Sequence, residues 1–591
     1  MENFEELLTP VFIILYVIVG WPILKKATRN IFKRKDIFDE NFLMCVASIG
    51  SICVGEASEA LMVMLLYRIG EFLQNKAVGK SRRAISDLMD IMPDYANVLR
   101  EDGSTEKVDP EEVKVGDTIV ILAGERIPLD GEVIEGASRI DTAALTGESL
   151  PVSVESGVTV RSGTINLDGV LKIKVTKLAE DSTAARVVAL VEDAAANRAQ
   201  AENFITKFAR IYTPAVCACA LLIAVIPPFI VGDWANWIHR GLTFLVISCP
   251  CALVISIPLG FFGGIGCASS HGILVKGSNY IEALSKAESI VFDKTGTLTK
   301  GVFKVVAVHP HAFAEEKVLE LAAHAESFSN HPIARSLADE YGKPIDKSIV
   351  KDAHEFAGKG ITATVDDLVV SCGNSKMMDM LGIQYHDCEI PGTTVHVVIE
   401  GAYAGHITIS DQVKDDAKEA LSGLKGAGIR NLVMLTGDKE IIAKSVAEEL
   451  TDLTAYHAAL LPEDKVNITK EMIAKKTSGK SVVFVGDGIN DAPVLVTADV
   501  GMAMGGMGSA SAVEAADIVL MNDKPSDVPL ALKIAKKTMR IVRENIWFSI
   551  GIKLVVLIAA AFGYDEMWLA IFADVGVCLL AILNSLRALK K

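Results

Sequence analysis

Long apolar runs alternate with long polar stretches along the chain. Seven apolar runs reach or approach the length needed to cross a bilayer. We predict membrane spans at 9–26, 42–55, 57–75, 211–231, 237–262, 546–563 and 567–588. Two polar stretches, 76–210 and 270–540, mix helical and strand patterns. The pattern predicts a multi-pass membrane protein with large soluble domains.

Basic residues set the predicted topology. The segments "KKATRNIFKRK" and "KAVGKSRR" follow the first and third predicted spans, and the tail ends "RALKK". The short loops "GEASEA" and "GYDEM" carry acidic residues but neither Lys nor Arg. Because loops rich in Lys and Arg stay in the cytoplasm, both polar stretches are predicted to be cytoplasmic. The first run has an acidic leading flank, unlike a secretory signal.

Net charge and cysteine placement exclude two classes of protein. The net charge of −16 excludes a nucleic-acid binder, which needs a basic face. Most of the ten cysteines lie in apolar runs, so no disulfide scaffold is predicted.

Three short apolar runs in the second polar stretch each end in a polar loop. They are "SIVFD" ending at Asp293, "NLVMLTGD" ending at Thr436, Gly437 and Asp438, and "SVVFVGDGIND" ending at Asp487 and Asp491. Each run is typical of a buried parallel strand. Ligands bind at the carboxyl ends of such strands. The three loops are therefore predicted to form one site.

The residue types at this site suit phosphoryl transfer. One carboxylate can attack phosphorus and form an acyl phosphate, while the others hold Mg²⁺. Thr436 and Lys465, the latter in "LLPEDK", can bind the phosphoryl oxygens. The chain has no G-x-x-x-x-G-K-[ST] motif, so nucleotide must be bound by other residues.

The motifs "TGES", "DKTGTLTKG", "TGD" and "GDGINDAP" occur in this order and resemble the P-type ATPase family over about residues 9–591. The resemblance implies that Asp293 is the phosphorylated aspartate, flanked by Lys294 and Thr295. It also implies Mg²⁺ and ATP as cofactors. The implied Mg²⁺ ligands are Asp293, Thr295, Asp487 and Asp491.

The resemblance also implies a fold: an α-helical transmembrane bundle with three cytoplasmic domains. These are an α/β (HAD-like, Rossmannoid) phosphorylation domain, an α/β nucleotide-binding domain and a mostly-β actuator domain. The predicted boundaries are 1–75 for the first spans, 76–206 for the actuator, 207–269 for the next spans, 270–305 and 409–540 for the phosphorylation domain, 306–408 for the nucleotide-binding domain and 541–591 for the last two spans.

Two of these domains carry further implied site residues. In the nucleotide-binding domain, "SNHPIA" contains His331, and Glu326 lies just upstream. The glycines of "GKG", Gly358 and Gly360, would let the backbone approach the nucleotide. In the actuator, "LTGESLPV" contains Glu148, which is expected to position water against the phospho-aspartate.

The apolar run "VISCPCALVIS" contains a proline between two cysteines. Proline opens the helical hydrogen-bond ladder, which is tolerated where backbone lines a cavity. Cys249 and Cys251 are then predicted to be paired thiolates, which select Zn²⁺, Cd²⁺, Pb²⁺ or Cu⁺. A C-P-C motif in a span resembles the heavy-metal subgroup of the family. We interpret the other cysteines as packing residues.

Lys553 and Asp574 fall inside the last two predicted spans. Ionisable groups are costly inside a membrane, so we interpret both residues as functional. Two thiolates and Asp574 carry −3, so a divalent ion and Lys553 bring the sum to zero. A buried imbalance is costly, and the set therefore favours a divalent ion. After release, Lys553 can pair with Asp574.

The Lys and the Asp-x-Gly of these spans resemble the Zn²⁺/Cd²⁺/Pb²⁺ exporters. Glu59 and Glu71 match acidic positions of that group and are expected to line the release path, although Glu71 equally suits a solvated helix end. We therefore expect ATP-driven export of Zn²⁺ or Cd²⁺, with Pb²⁺ as a further cargo, by a monomer in the plasma membrane. The alternatives are a Cu⁺ exporter and a non-transporting metal sensor on the same fold.

Overall fold

The membrane-associated part of the protein is built from long apolar helices. A computed structural model of the chain describes residues 2–33, 40–72, 93, 95–100, 103–142, 151–185, 214–247, 251–311, 313–329, 332–356, 358–386, 392–487, 491–505, 514–561, 569 and 572–590. It divides into two compact units, Met1–Lys286 with Ala531–Lys591, and Ala287–Leu530.

The helices outside the soluble domains are Glu2–Lys33, Glu40–Val54, 57–72, 214–225, Pro228–Val231, Trp234–Ile247, Cys251–Ser269, Ser278–Ser285 and Asp527–Ala561. The last part of the chain contains a π-helical turn, Phe572–Gly576, then the helix Val577–Ser585 and a 3-10 turn, Leu586–Leu589. Within the described residues, four segments are long and apolar enough to cross a membrane: Thr9–Arg29, Pro214–Val231, Ala252–Ser269 and Phe572–Leu589. The segment Met44–Val54 is apolar but shorter.

The fifth predicted span, 237–262, falls on two described helices, Trp234–Ile247 and Cys251–Ser269, and the residues between them lie outside the described part of the chain. The second helix extends seven residues beyond the predicted end, and its glycines allow close packing there. A Cβ on Gly264 would lie 2.3 Å from the Thr538 hydroxyl.

The sixth predicted span also differs in extent. The apolar run 546–563 is only the end of the 35-residue helix Asp527–Ala561. Hydropathy locates the apolar half of such a helix, whereas its polar half follows the same helical path outside the lipid.

The actuator region consists of two antiparallel sheets. The larger has the strand order Thr105–Val108, Ala96–Leu99, Thr118–Ile121, Leu171–Val175, Gly131–Glu135 and Thr159–Val160. The smaller has the order Val152–Val154, Ser138–Asp141 and Ile165–Asn166. A short 3-10 helix covers Pro110–Glu112. Alternating Val, Ile and Leu side chains from both sheets bury one core.

The buried carboxylate of Asp130 ties together several loops of the actuator. It accepts hydrogen bonds from the Ser162 amide at 2.8 Å, the Thr183 hydroxyl at 2.7 Å and Lys177 Nζ at 2.8 Å. Burial raises the pKa of Asp130, but these three partners lower it by a larger amount. The net pKa of Asp130 is therefore below the ordinary value.

The second unit contains a parallel sheet. Its strands within the unit follow the order Ile518–Leu520, Val500–Met504, Ser481–Gly486, Ala287–Asp293, Asn431–Leu435 and Ala455–His457. The helices of this part are Ala417–Gly426, Glu440–Glu449, Pro462–Lys475 and Ala492–Thr497. The central strands are continuous apolar runs because helices cover both faces of a parallel sheet.

A six-stranded antiparallel sheet is inserted into this fold. Its strand order is Thr299–Pro310, Ala402–Val413, Thr393–Ile399, Leu368–Gly373, Gly360–Val365 and Val350–Phe356. The helices Glu315–Ala325 and Pro332–Tyr341 share a buried core with one face, and Ser375–Leu381 packs with residues of the other. Short 3-10 helices cover Glu326–Phe328 and Lys347–Ile349. The domain boundaries 306 and 408 lie inside the first and last strands of the insertion.

Candidate functional site

Asp293 stands at the carboxyl end of the parallel sheet. Its strand, Ala287–Asp293, lies between Asn431–Leu435 and Ser481–Gly486. The Asp293 side chain is buried, and the residue is 5% exposed. Because neighbouring parallel strands end at one edge, the loops that follow them carry Thr436 and Asp487 to the same edge as Asp293.

Lys465 bridges two of the predicted carboxylates. Its Nζ lies 2.5 Å from Asp293 Oδ1 and 2.9 Å from Asp491 Oδ1. The third carboxylate, Asp487, contacts the turn after Asp293. A Cβ on Gly296, whose φ is +72°, would lie 2.9 Å from Asp487 Oδ2, so only glycine fits there.

Burial and charge set the protonation of this group. Burial raises the pKa of Asp293 to about 7, with Asp491 and Asp487 acting in the same direction and Lys465 opposing them. Burial lowers the pKa of Lys465, but Asp293 and Asp491 outweigh it and raise that pKa above its ordinary value. We therefore take Lys465 to be an ammonium ion.

The donor set fits a magnesium ion. Three ionised carboxylates and one ammonium leave a charge of −2, and all the donors are oxygen, which Mg²⁺ prefers. Asp293, Asp487 and Asp491 are the residues that would hold it. A cation beside Asp293 would lower the pKa of its carboxyl and favour the ionised nucleophile.

Lys294 is held by a second set of carboxylates. Its Nζ lies 2.7 Å from Asp438 Oδ2 and 3.5 Å from Asp411 Oδ2. The Thr299 hydroxyl donates a hydrogen bond to the same Asp411 oxygen. The other oxygen of Asp411 is buried and has no hydrogen-bond partner among the residues that the structure describes, and a polar group aimed at the site would satisfy it. The adjacent Thr295 side chain is exposed.

The sequence interpretation missed Asp411 and Lys414. Lys414 Nζ donates to the backbone oxygens of Gly296 at 2.8 Å and Asp523 at 2.7 Å, which fixes the turn after Asp293. Both residues lie where the last strand of the inserted sheet returns to the parallel fold. A polar cluster at that return point, "SDQVKDD", was the available signal.

Thr436 is fixed by backbone hydrogen bonds on both sides. Its amide donates to the His457 carbonyl at 3.0 Å, and its carbonyl accepts from the Leu460 amide at 3.1 Å. The Thr436 hydroxyl accepts from the Asp438 amide at 3.1 Å. A Cβ on Gly437 would lie 3.2 Å from the Leu460 oxygen, so this loop suits glycine. Thr436, Gly437 and Asp438 thus face Asp293 as one ordered loop.

The predicted nucleotide residues gather at one end of the inserted sheet. Burial raises the pKa of Glu326 to about 7, and Glu355 adds to the effect. Gly358 and Gly360 have φ of +69° and +153°, and a Cβ on Gly360 would lie 2.1 Å from the Cys372 oxygen. These two glycines therefore cannot be replaced without strain. His331 lies outside the described residues.

Asn374 belongs to this group but was not predicted. Its side-chain amide donates to the Gly358 oxygen at 2.9 Å, and its backbone amide donates to the Lys359 oxygen at 2.9 Å. The preceding Gly373 pairs in register with Gly360. Only strand register brings these residues together, and the sequence carries no local signal for it.

Glu148, the predicted water-positioning residue, lies outside the described residues. In the sequence it falls between the strands Ser138–Asp141 and Val152–Val154, which pair antiparallel. Cys249 also lies outside them. Cys251 begins the helix Cys251–Ser269, but its side chain is not described.

Lys553 and Asp574 form a buried pair. Lys553 Nζ lies 3.1 Å from Asp574 Oδ1 and donates to the Ile247 carbonyl at 3.1 Å. Lys553 is 8% exposed and Asp574 is 1% exposed. Lys553 therefore points into the helix bundle, toward the end of the helix Trp234–Ile247 that precedes the C-P-C motif, and does not extend toward a lipid interface.

The two predicted acidic path residues have different surroundings. Glu71 is bridged by Lys26 Nζ at 2.5 Å and Arg68 Nη1 at 2.6 Å, and its side chain is only 15% exposed. It lines one pocket together with Asp574. Because Lys26 and Arg68 are 49% and 40% exposed, the ion-path role and the solvated helix end both stay predictions. Glu59 Oε2 lies 3.0 Å from His239 Nε2.

Comparisons with known proteins agree on one family. Residues 90–192 match the model of the P-type ATPase actuator domain, and residues 288–499 match that of haloacid dehalogenase-like hydrolases. The chain is 50% identical to a zinc-transporting ATPase of Synechocystis sp., covering 98% of this chain and 80% of the relative. It is 49% identical to a cadmium, zinc and cobalt-transporting ATPase of Bacillus subtilis, covering 98% and 82%.

A solved structure resembles this chain over nearly its full length. A zinc-transporting PIB-type ATPase in the E2·Pi state is 35% identical to this chain and superposes with a TM-score of 0.62. The match covers 98% of this chain and 95% of that one.

Proposed function

Because the chain belongs to the P-type ATPase family, we propose that it uses ATP to export Zn²⁺ or Cd²⁺ from the cytosol, with Pb²⁺ as a further cargo. The family makes it a multi-pass membrane protein with large soluble domains. The observation that carries the choice of ion is the buried Lys553–Asp574 pair beside the Ile247 carbonyl. One ammonium next to a thiolate and carboxylate ligand set suits a divalent cargo.

In the first chemical step, a carboxylate oxygen of Asp293 attacks the γ-phosphorus of ATP, an acyl phosphate forms and ADP leaves. Lys465, 2.5 Å from Asp293, and Thr436 stabilise the charge that moves onto the phosphoryl oxygens. Lys294, held by Asp438, adds a second cation at this edge. Mg²⁺ bound by Asp293, Asp487 and Asp491, with Thr295 as a further ligand, would neutralise phosphate charge.

The nucleotide is assigned to the end of the inserted sheet. Gly358 and Gly360 allow close approach of the backbone, and Glu326 in its protonated form can donate a hydrogen bond to the base. His331 is assigned to the same site by family resemblance.

Hydrolysis of the acyl phosphate is assigned to water positioned by Glu148 of the actuator. The water oxygen bonds to phosphorus, the bond to the Asp293 oxygen breaks, and phosphate leaves. This step regenerates the Asp293 carboxylate for the next cycle.

The cargo is assigned to Cys249, Cys251 and Asp574. A divalent ion with these three ligands and Lys553 is electrically neutral. When the ion leaves, Lys553 takes its place as the partner of Asp574 and discourages its return. Glu71, in the pocket that reaches Asp574, and Glu59 are assigned to the ion path.

The cellular setting follows from charge and composition. We propose that the protein acts as a monomer in the plasma membrane, with its large domains in the cytoplasm. Its acidic charge of −16 gives no basis for a nucleic-acid partner.

The proposal is tested by ATP hydrolysis in vesicles with Zn²⁺, Cd²⁺, Pb²⁺ or Cu⁺, using the Asp293→Asn variant as the blank. We expect stimulation by the divalent ions and none by Cu⁺. Stimulation by Cu⁺ alone would replace the proposal with a copper exporter. Failure to form an acid-stable phosphoenzyme with any ion would favour a metal sensor instead.

A further inference from the structure

Histidines gather on one face of the inserted antiparallel sheet. His309 pairs in register with His406 on the neighbouring strand, and His406 pairs with His396 on the next. Residues that face each other across strands point to the same side of a sheet. The neighbours Val395, Val397, Ile407 and Ile409 belong to the core on the opposite face. The three imidazoles therefore form a row, which we call the histidine row.

Two further histidines adjoin the histidine row. The rings of His311 and His386 lie 5.6 Å apart, and both approach the Tyr403 ring, at 6.0 and 6.2 Å. His309, His311 and His386 are exposed, whereas His396 and His406 are buried. The cluster thus has a fixed interior and a rim whose side chains can turn.

The spacing of the rings suits a shared metal ion. Imidazole nitrogens bind Zn²⁺ tetrahedrally at about 2.0 Å, which places the centres of two bound rings about 5 Å apart. The His309 and His406 centres are 4.8 Å apart, and those of His396 and His406 are 6.0 Å apart. Two backbones of one sheet hold His309 and His406 at this separation.

One ring nitrogen in the row is buried and finds no partner among the described residues. His406 is 8% exposed, and its Nε2 has no hydrogen-bond partner in the described part of the chain. Such a group costs free energy unless a ligand satisfies it. Its Nδ1 lies 3.2 Å from the Tyr403 hydroxyl, which also lies 3.0 Å from His396 Nδ1. An Nδ1–H donated to Tyr403 leaves Nε2 as a lone-pair donor, the arrangement found in metal-bound histidines.

The protonation of His406 is compatible with this role. Burial lowers the pKa of His406, and His309 and His386 lower it further. Its imidazole is therefore neutral near pH 7, and the neutral imidazole is the form that binds metal.

We propose that His406, His309 and His386 bind one Zn²⁺ ion on the inserted sheet, separate from the transport ligands in the membrane. The choice of Zn²⁺ rests on the proposed function, since a pump for this ion meets it in the cytosol. The described residues hold no preassembled group of three metal ligands, so the exposed rings of His309 and His386 turn toward His406 Nε2 on binding. Water completes the four-coordinate shell.

The bound ion would join two strands that lead to the phosphorylation site. His309 lies on Thr299–Pro310 and His406 on Ala402–Val413. The far ends of these strands carry Thr299 and Asp411, which contact each other and Lys294.

The test uses the full chain with Cys249→Ser, Cys251→Ser and Asp574→Asn, which removes the proposed transport ligands. Co²⁺ is the probe, since its visible absorption reports four-coordinate nitrogen ligation, and Zn²⁺ is then added as competitor. We expect one Co²⁺ per chain, displaced by Zn²⁺. His309→Gln and His386→Gln should each weaken binding at least about tenfold.

His354→Gln is the matched control, because His354 is an exposed histidine of the same sheet outside the cluster. It should leave Co²⁺ affinity unchanged. Because His406 is buried, the His406→Gln result counts only if this variant unfolds at the same temperature as its parent. The test therefore rests on the exposed positions His309 and His386. Absence of the four-coordinate spectrum, or equal affinity in all three single variants, would overturn the proposal. Neither ATP hydrolysis nor transport enters this readout, so the result is independent of the pump assignment.

Discussion

Two lysines occupy the two candidate sites, and their surroundings differ in charge. Lys465 stands between Asp293 and Asp491, with Asp487 close by. Lys553 has one carboxylate partner, Asp574, and one neutral partner, the Ile247 carbonyl. The soluble site therefore carries excess negative charge, whereas the membrane pair is balanced.

This difference separates two uses of the same residue type. An excess of −2 in a soluble cleft is compatible with a resident divalent cation and with phosphate chemistry. In lipid an unbalanced charge is too costly, so each ligand must be neutralised by the cargo or by a built-in partner. Lys465 is thus assigned to electrostatic catalysis and Lys553 to exchange with the ion.

The largest effect is expected at the nucleophile of the soluble site. Asp293→Asn removes the attacking oxygen, so ATP hydrolysis should fall at least about 1000-fold, measured with phosphoenzyme formation. Asp415→Asn is the control, since that side chain is 91% exposed and pairs with Lys300 at the surface. If Asp293→Asn still forms phosphoenzyme, Asp293 is not the nucleophile and the soluble site is wrongly assigned.

The next effect is expected at Lys465. Lys465→Ala removes the ammonium that faces the transferred phosphoryl group, and phosphoenzyme formation should slow about 100-fold. Lys470→Ala, an exposed position on the same helix, should keep the parental rate. If both variants phosphorylate alike, Lys465 would be a packing residue and the contrast between the lysines would fail.

A smaller and different effect is expected at Lys553. Lys553→Ala leaves the cargo ligands in place, so Zn²⁺-dependent phosphoenzyme should still form. Release then lacks its competing partner, and Zn²⁺ transport in vesicles should slow about tenfold. Lys533→Ala on the same helix, where Lys533 is exposed, should transport normally. Parental turnover in Lys553→Ala would contradict the exchange role.

The smallest effect is expected at Asp130, a buried aspartate whose partners are complete within the actuator. Asp130→Asn should lower the local free energy of opening by about 1–3 kcal/mol at pH 7. Hydrogen–deuterium exchange of residues 158–185 measures it, since the Ser162 and Thr183 amides bond to this carboxylate. Asp168→Asn, at an exposed pair with Arg139, is the control.

The effect at Asp130 should depend on pH with a defined sign. Its folded pKa is lower than the ordinary value, so its contribution is present above the unfolded pKa near 4 and is lost as pH falls through the folded pKa. The difference between parent and variant should therefore shrink below about pH 4. A difference that grows on acidification would mean that Asp130 is not held as a carboxylate.

Much of the fold and of the candidate site was predictable from the sequence because the chemical groups lie in short motifs. The family followed from four motifs, and the carboxyl ends of three apolar strands predicted that Asp293, Thr436 and Asp487 would share one edge. The Lys553–Asp574 contact was predictable because charges buried in lipid need partners.

The contacts that the sequence did not predict depend on strand register and on residues far apart in the chain. Asp411 lies 117 residues beyond Lys294 and meets it only through the inserted sheet. Asn374 reaches Gly358 through strand pairing.

The central claim is that sulfur ligands of the C-P-C motif carry a divalent ion through the membrane. The direct measurement is ATP-dependent Zn²⁺ uptake into inverted vesicles by the parent and by the Cys249→Ser, Cys251→Ser double variant. The account predicts that uptake by the variant falls to the level of Asp293→Asn. Uptake at the parental rate would contradict it.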